Sequence, residues 1–371
     1  MNILVFSWRD PKHPLAGGAE QVMHEHMKGW ISAGHKVTLF SSYMKGLSKK
    51  ETLDGVEIVR DGYQYLGVQL KGFLYYLKKR RDFDFIVDQF HGVPFFTPLF
   101  SKKPKLVVIQ EPTRTVWLLN PLPWPLNWII GTIGYLGEPF IFLFYRRTLF
   151  MTGSESAKDD IIYFGIPAKN ITVVPHGVII KDLESNPEKE KIFTVVFLGV
   201  LSKDKGIEDA VKTFSILKDL GQFQFWVVGR AETHRYESHI KQIVKKLGLQ
   251  ASVKFWGFVS QEEKFRLLAR SHILINPSIR EGWGLVNIEA NYYQTPVVAY
   301  SSRGLIDSVQ DGVSGIICKN NTPFDLAKNI LQILVDKDLY SSLQNGAKEW
   351  SKNFSWDKSK KKSLELLESL K

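Results

Sequence analysis

The feature that most limits what this chain can fold into is a rhythm of short apolar runs, repeated in two series. In the first series Ile3–Ser7, Lys36–Ser41, Val56–Arg60, Phe85–Asp88, Leu106–Gln110, Leu149–Thr152 and Ile171–Val174 read as strands, with helix-like segments between several of them. In the second, Phe193–Leu198, Gln224–Val228, Ser252–Trp256, Ile273–Asn276, Val297–Tyr300 and Gly315–Ile317 do the same. Buried strands alternating with helices predict parallel sheets with crossover helices, an α/β architecture. The segment between the series, IKDLESNPEKEK from Ile180 to Lys191, is polar, charged and contains a proline, so it reads as a linker. A chain of 371 residues is long enough for two domains that each bury a core. The expected organisation is therefore two doubly wound, Rossmann-like domains, 1–179 and 180–354, with the lysine-rich WDKSKKKSLELLESLK near 355–371 as a closing helix. Doubly wound sheets take ligands at the carboxyl ends of their strands, and the two domains are expected to face each other there across a cleft.

The chemistry concentrates in REGWGLVNIEA, Arg280 to Ala290. It follows the apolar strand HILINPS and leads into LVNIEANYY, whose Leu285, Ile288 and Tyr292 have helical spacing. A strand, a glycine-rich turn at Gly282-Trp283-Gly284 and a helix start aim unpaired N–H groups and a positive helix end at whatever lies in front of them, which suits a diphosphate. Gly282 and Gly284 shape the turn, and the amides of Gly284, Leu285 and Val286 are the candidate donors. Glu289, on the first turns of the helix, can accept both hydroxyls of a ribose, as acidic residues do in dinucleotide sites. Glu281, on the loop, can accept hydroxyls of a second sugar. The alternative is an ordinary α/β connection with two solvated acids, but glycines, carboxylates and element order agree on a site.

This segment resembles the Glu, seven residues, Glu signature of retaining glycosyltransferases of family four, and the TPVVAYSSRGLIDSVQDGVSG that follows (Thr295–Gly315) is similar to the family's text. The resemblance covers nearly the whole chain. GGAE at Gly17–Glu20 matches the family's first glycine loop, where Gly17 and Gly18 let the backbone approach a phosphate or acceptor closely. FHGVP places His91 where the family often has a histidine facing the sugar-transfer site, with a structural role equally open for a lone histidine. FMTGSESAKDDI and ITVVPHGV match the family's closing strand and hinge, although His176–Ile179 reads HGVI in place of the usual Asn-Gly-Val-Asp. The resemblance implies the GT-B fold, a nucleoside-diphosphate-sugar donor on the second domain, an acceptor on the first, and retention at the anomeric carbon. In GVLSKDKG, Gly199 and Lys205 keep the family pattern, and Lys205 is the candidate for neutralising the diphosphate. Val200 stands where the family usually has arginine; Arg230, in VVGRAET, is the candidate to replace that charge.

A formal charge of +11 and a pI near 9.4 call for an anionic partner: nucleic acid, a membrane surface or a phosphorylated substrate. No nucleic-acid reader motif is present, so nucleic acid is not expected. The run from Trp117 to Phe150 carries three tryptophans and ends near an Arg-Arg pair. Leu126–Tyr145 approaches the ~20 apolar residues of a membrane span, but Asn127, Glu138 and Pro139 interrupt it, and a span would split the first domain. It reads instead as a surface that enters an anionic membrane without crossing, helped by Lys78-Lys79-Arg80-Arg81 and Lys102-Lys103-Lys105. Core helices beside a solvated basic face are the other reading.

A lone cysteine, Cys318, favours a reducing compartment, and MNILVFS reads as a strand and not a signal peptide, so the expected location is the cytoplasmic face of the membrane. His24 and His26 are two apart on a helix and do not share a face, Asp82 and Asp84 read as a plain strand approach, and no zinc or ATPase-type spacing occurs. No metal and no cofactor are expected. The sum is a retaining glycosyltransferase, with Glu281 and His91 as catalytic candidates, moving a mannose- or glucose-type hexose to a lipid-linked or glycan acceptor. A catalytically silent nucleotide-sugar-binding protein is the alternative, to which Val200 points.

Overall fold

The computed structural model describes residues 1–64, 67–120, 122–179, 183 and 187–370. The chain divides into two compact units, Met1–Leu118, Trp128–Gly177 and Trp356–Lys371 in the first, Leu119–Asn127 and Val178–Ser355 in the second. Of the expected linker, residues 180–182 and 184–186 lie outside the described residues. Residues 119–127, expected with the first domain, group with the second.

The first unit is built on strands β1 (Asn2–Phe6), β2 (Lys36–Ser41), β3 (Lys50–Leu53), β4 (Val56–Arg60), β5 (Phe85–Phe90), β6 (Lys105–Ile109), β7 (Leu149–Thr152) and β8 (Ile171–Val173), in the order β3-β4-β2-β1-β5-β6-β7-β8. All pairs are parallel except β3 with β4. Central strands such as Ile3–Phe6 and Phe85–Phe90 are buried on both faces, which is why they read as continuous apolar runs and not as alternating ones. Strand β3, KETL, was not expected because it is charged and half-exposed on the sheet edge. Its signal is the turn: Asp54 and Gly55 both have positive φ, 51° and 84°, the two-residue Asp-Gly hairpin that matches strand twist. The closing helix, Trp356–Glu368, packs on the Gly18–Ser32 helix within this unit, with Trp30 Nε1 donating to Ser363 Oγ at 3.3 Å and Lys360 paired to Glu25 at 2.6 Å.

The interrupted apolar segment is one unbroken helix, Leu126–Phe144, with Pro139 inside it. Glu138 does not break it, because its carboxylate turns inward and accepts from the amides of Thr113 and Arg114, both at 2.6 Å. By length and composition the helix is apolar enough to cross a bilayer. It nevertheless connects β6 to β7, parallel neighbours in one sheet, and Phe142 stacks on Phe90 of β5 at 5.0 Å. The crossover is thus tied to the sheet at its base while most of its outer face stays exposed.

The second unit has β9 (Phe193–Leu198), β10 (Phe223–Val228), β11 (Val253–Gly257), β12 (Ile273–Asn276), β13 (Val297–Ala299) and β14 (Gly315–Ile317) in the order β11-β10-β9-β12-β13-β14. That is the 3-2-1-4-5-6 order of dinucleotide-binding sheets, with its reversal between β9 and β12. In the first unit the order reverses between β1 and β5. These two points decide which loops can form sites.

Candidate functional site

In the second unit the loops after β9 and β12 flank the reversal point, because β9 and β12 pair directly, Ile273 with Val195 and Leu274 with Val196. The amide of Ile279 donates to the carbonyl of Asp204 at 2.8 Å, tying the two loops together. Gly206, at φ 70°, comes so close that a Cβ there would meet the Pro277 carbonyl oxygen at 2.2 Å, so no other residue fits. Gly284 caps the Leu285–Tyr292 helix in the left-handed region at φ 83°, where a Cβ would meet Ser308 Oγ at 2.8 Å. A buried chain fixes this turn: Asn276 Nδ2 donates to Asn287 Oδ1 and Asn287 Nδ2 to Ser308 Oγ, each at 2.9 Å. The first amides of such a helix have no partner within it, which leaves those of Leu285 and Val286 as a fixed pair of donors, able to meet an anion.

The two acids flank that helix start, and each is paired. Lys205 Nζ is 2.8 Å from Glu281 Oε1, and the same oxygen accepts from Ser278 Oγ at 3.0 Å. Lys264 Nζ, on the Gln261–Arg270 helix, is 2.6 Å from Glu289 Oε1. Both contacts of Glu281 and the one of Glu289 fall on Oε1, so among the described residues each Oε2 remains an available acceptor for sugar hydroxyls. The structure thus brings together Lys205, Glu281, Gly282, Gly284, Leu285 and Val286 around one turn, with Gly199 at the head of the adjoining loop. Arg230 is beside that loop through backbone, its carbonyl accepting from Leu201 at 2.9 Å, while its guanidinium lies over the exposed Phe258 ring. Val200 is exposed, and Arg230 is the cation on the neighbouring loop. Lys264, Ser278 and the Asn276–Asn287–Ser308 chain were not read from sequence. Lys264 carries no motif, and only the packing of one helix beside the next places it on Glu289.

In the first unit the loops after β1 and β5 flank the reversal point and carry the remaining candidates. His91, exposed, stands edge-on to Trp8 with ring centres 5.0 Å apart. Gln89 Nε2 donates to the carbonyl of Ala19 at 3.2 Å, joining the end of β5 to the helix that Gly17 caps. The Gly17 amide is already taken, donating to Glu20 Oε2 at 2.7 Å while Glu20 Oε1 pairs with Arg9 at 3.1 Å. Its φ is −137°, and a Cβ there would meet nothing closer than 3.8 Å. The protein's own packing therefore does not demand glycine at 17.

The model for Glycosyl transferases group 1 matches residues 178–350, and that for Glycosyltransferase Family 4 matches residues 16–182. An uncharacterized glycosyltransferase of Methanocaldococcus jannaschii is 30% identical over 190 residues, 51% of this chain and 51% of its own, so the match spans about half of that relative. Sucrose-phosphate synthase from Thermosynechococcus elongatus superposes with a TM-score of 0.83 at 17% identity, covering 100% of this chain and 98% of that one. HepE of Anabaena, solved in complex with UDP-glucose, superposes with a TM-score of 0.74 at 19% identity, covering all of both chains. At these identities the likeness shows the fold, which is GT-B. With its two halves matched in order from residue 16 to residue 350, the chain belongs to the group 1, family four glycosyltransferases.

Proposed function

We propose that the protein is a nucleotide-sugar-dependent glycosyltransferase that moves a hexose, with retention, to a lipid-linked or glycan acceptor at the cytoplasmic face of a membrane. The observation that carries the reading is the helix start at Gly284 flanked by two lysine-paired carboxylates. In this reading Lys205 and the amides of Leu285 and Val286 hold the diphosphate, Glu289 the ribose, and Glu281 the transferred sugar. The anomeric C–O bond to the diphosphate breaks as the acceptor oxygen bonds the same carbon, and the acceptor proton passes to the departing phosphate oxygen. Stabilising the charge on that leaving group is the main task, and a fixed helix start with a cation does this without reorganisation. No metal or cofactor enters the scheme. The acceptor half is assigned to the Gly17, Gly18 and His91 loops of the first unit. The Anabaena structure with UDP-glucose supports UDP-hexoses as the first donors to try.

The exposed apolar face of Leu126–Phe144 supports peripheral contact with an anionic membrane, where such a helix lies at headgroup depth. Val200, exposed where an arginine is usual, favours a second reading, a protein that binds nucleotide sugar without turning it over. Incubation with a panel of nucleoside-diphosphate hexoses separates them. Release of nucleoside diphosphate with transfer to a lipid extract, and an α-linked product from an α-linked donor by NMR, is the expected result; tight donor binding with no turnover of any donor would favour the silent protein.

A further inference from the structure

A cluster of cations outside the donor loops gathers along one edge of the first unit. Strands β5, β6 and β7 are parallel neighbours, so their first residues share an edge of the sheet. The chain just before each is basic: Lys78, Lys79, Arg80 and Arg81 precede β5, Lys102 and Lys103 precede β6 with Lys105 opening it, and Arg146 and Arg147 precede β7. This is the edge opposite the carboxyl ends, where doubly wound sheets take their substrates. Of the acids nearby, Asp82 pairs with Lys79 at 3.1 Å and Asp84 accepts from the Asn2 amide at 2.7 Å. Among the described residues, Arg80, Arg81, Lys102, Arg146 and Arg147 have no carboxylate within ion-pair distance.

At this edge opens a cavity of about 600 Å³, lined by Lys103, Lys105, Arg146, Arg147, Leu143 and Phe144 among others. Lys103 and Lys105 are anchored, their ammoniums donating to the carbonyls of Phe83, Ser101 and Lys103. Arg146 and Arg147 stay exposed. The cavity meets the last turn of the Leu126–Phe144 helix, whose outer face exposes Trp128, Ile133, Leu136 and Phe140. A strip of apolar side chains thus ends where a basic cavity begins, which is the division of a phospholipid into acyl chains and a charged headgroup.

We propose that this cavity binds the phosphate headgroup of an anionic phospholipid, with the acyl chains along the outer face of the Leu126–Phe144 helix, as a lipid site separate from the donor site. It rests on the membrane reading above and names its ligand. Arg146 and Arg147 close on the phosphate, while Leu143 and Phe144 meet the start of the chains.

The test uses the full chain, a short-chain phosphatidylglycerol kept monomeric, and vesicles of phosphatidylcholine with or without phosphatidylglycerol. Arg146→Ala/Arg147→Ala is compared with a charge-matched control, Arg80→Ala/Arg81→Ala, both at exposed positions whose melting temperatures are checked against wild type. The cavity pair should weaken short-chain lipid binding at least about tenfold, and the control should change it less than about twofold. Both should lower vesicle binding by about fivefold per cation removed. Undiminished short-chain lipid binding by Arg146→Ala/Arg147→Ala overturns the cavity assignment, whatever the vesicles show. Wild-type protein that stays in the supernatant with anionic vesicles overturns the membrane reading instead. Inorganic phosphate binding as tightly as the lipid, or a polynucleotide displacing the lipid at moderate salt, would overturn the lipid as the ligand.

Discussion

Lys205 Nζ and Glu281 Oε1 stand 2.8 Å apart on loops that follow two neighbouring strands, so each neutralises the other across the reversal point of the sheet. A donor diphosphate would draw Lys205 toward its own oxygens and release the carboxylate to the sugar. The pair would then act as a relay of contacts between the two ends of one ligand. Lys205→Ala should lower kcat/KM about 10- to 100-fold, the value of a charge-assisted hydrogen bond of roughly 1.5–3 kcal/mol. Glu281→Gln should lower kcat more than it raises KM. In the double variant the losses should fall short of their sum by more than about 0.5 kcal/mol. Strict additivity would show that the contact has no functional weight.

Glu289 offers a cleaner separation. If it holds the ribose, Glu289→Ala should weaken nucleoside diphosphate binding by about 1–3 kcal/mol and leave inorganic pyrophosphate binding unchanged. Titration calorimetry with both ligands reads this directly. Equal losses for the two would move Glu289 from the ribose to the phosphates. Lys264→Met, which removes its 2.6 Å partner, should have a smaller effect of the same kind.

Asn287 carries the loop geometry. Asn287→Ala leaves Asn276 Nδ2 without its acceptor in a buried place, while Ser308 Oγ loses one donor but still donates to the Gly304 carbonyl at 2.9 Å, and the change should cost about 1–3 kcal/mol of stability in denaturant titrations. Donor affinity should fall with it, because the Gly284 turn loses its tether. Wild-type stability would mean that water replaces the side chain.

His26 makes stability depend on pH. Burial first, then the charges of His176 and Lys360, hold its pKa down to about 3, and neither ring nitrogen makes a hydrogen bond. A histidine whose folded pKa lies below its unfolded value costs nothing at pH 8. As pH falls below about 6.5 the unfolded chain takes a proton that the folded one refuses, so stability drops progressively toward the folded pKa. The loss from this one group should reach about 2 kcal/mol by pH 5. His26→Leu should flatten the fall by that amount, measured as the difference in unfolding free energy between pH 7 and pH 5. An unchanged slope would assign the acid sensitivity to other groups.

Chelation supplies a further check. Among the described residues, no group of three or more His, Cys, Asp or Glu side chains is placed to hold a metal ion. If the helix start and Lys205 carry the charge stabilisation, as proposed, donor turnover should change less than about twofold in EDTA. Full loss restored by Mg²⁺ would require a metal brought with the diphosphate.

The strand candidates in both halves were legible because parallel strands buried on both faces must be apolar throughout, a pattern visible without a fold. The Gly284 turn was legible for a related reason: a helix cap at φ 83° with Ser308 Oγ in the way of any Cβ needs glycine, and glycine declares itself. Strand β3 was missed because its residues are those of an exposed edge, although the Asp54-Gly55 turn beside it gave a usable signal. That Leu126–Phe144 forms one helix was not read from the sequence, where Asn127, Glu138 and Pro139 only interrupt an apolar run; the two amides that hold the Glu138 carboxylate belong to a distant loop.

What the sequence determined by itself is local: where chain is apolar, where the backbone must turn, and which residue types sit at the turns. Which of those residues meet was decided by the order of strands in the sheet. Lys205 and Glu281 are brought together because β9 lies beside β12, and three basic segments share one edge because β5, β6 and β7 are neighbours. Strand order is a property of the whole sheet, set by how crossover helices pack on both faces, and no single segment carries it. The pairing of Glu289 with Lys264 is of the same kind, since it depends on two helices from successive crossovers lying side by side.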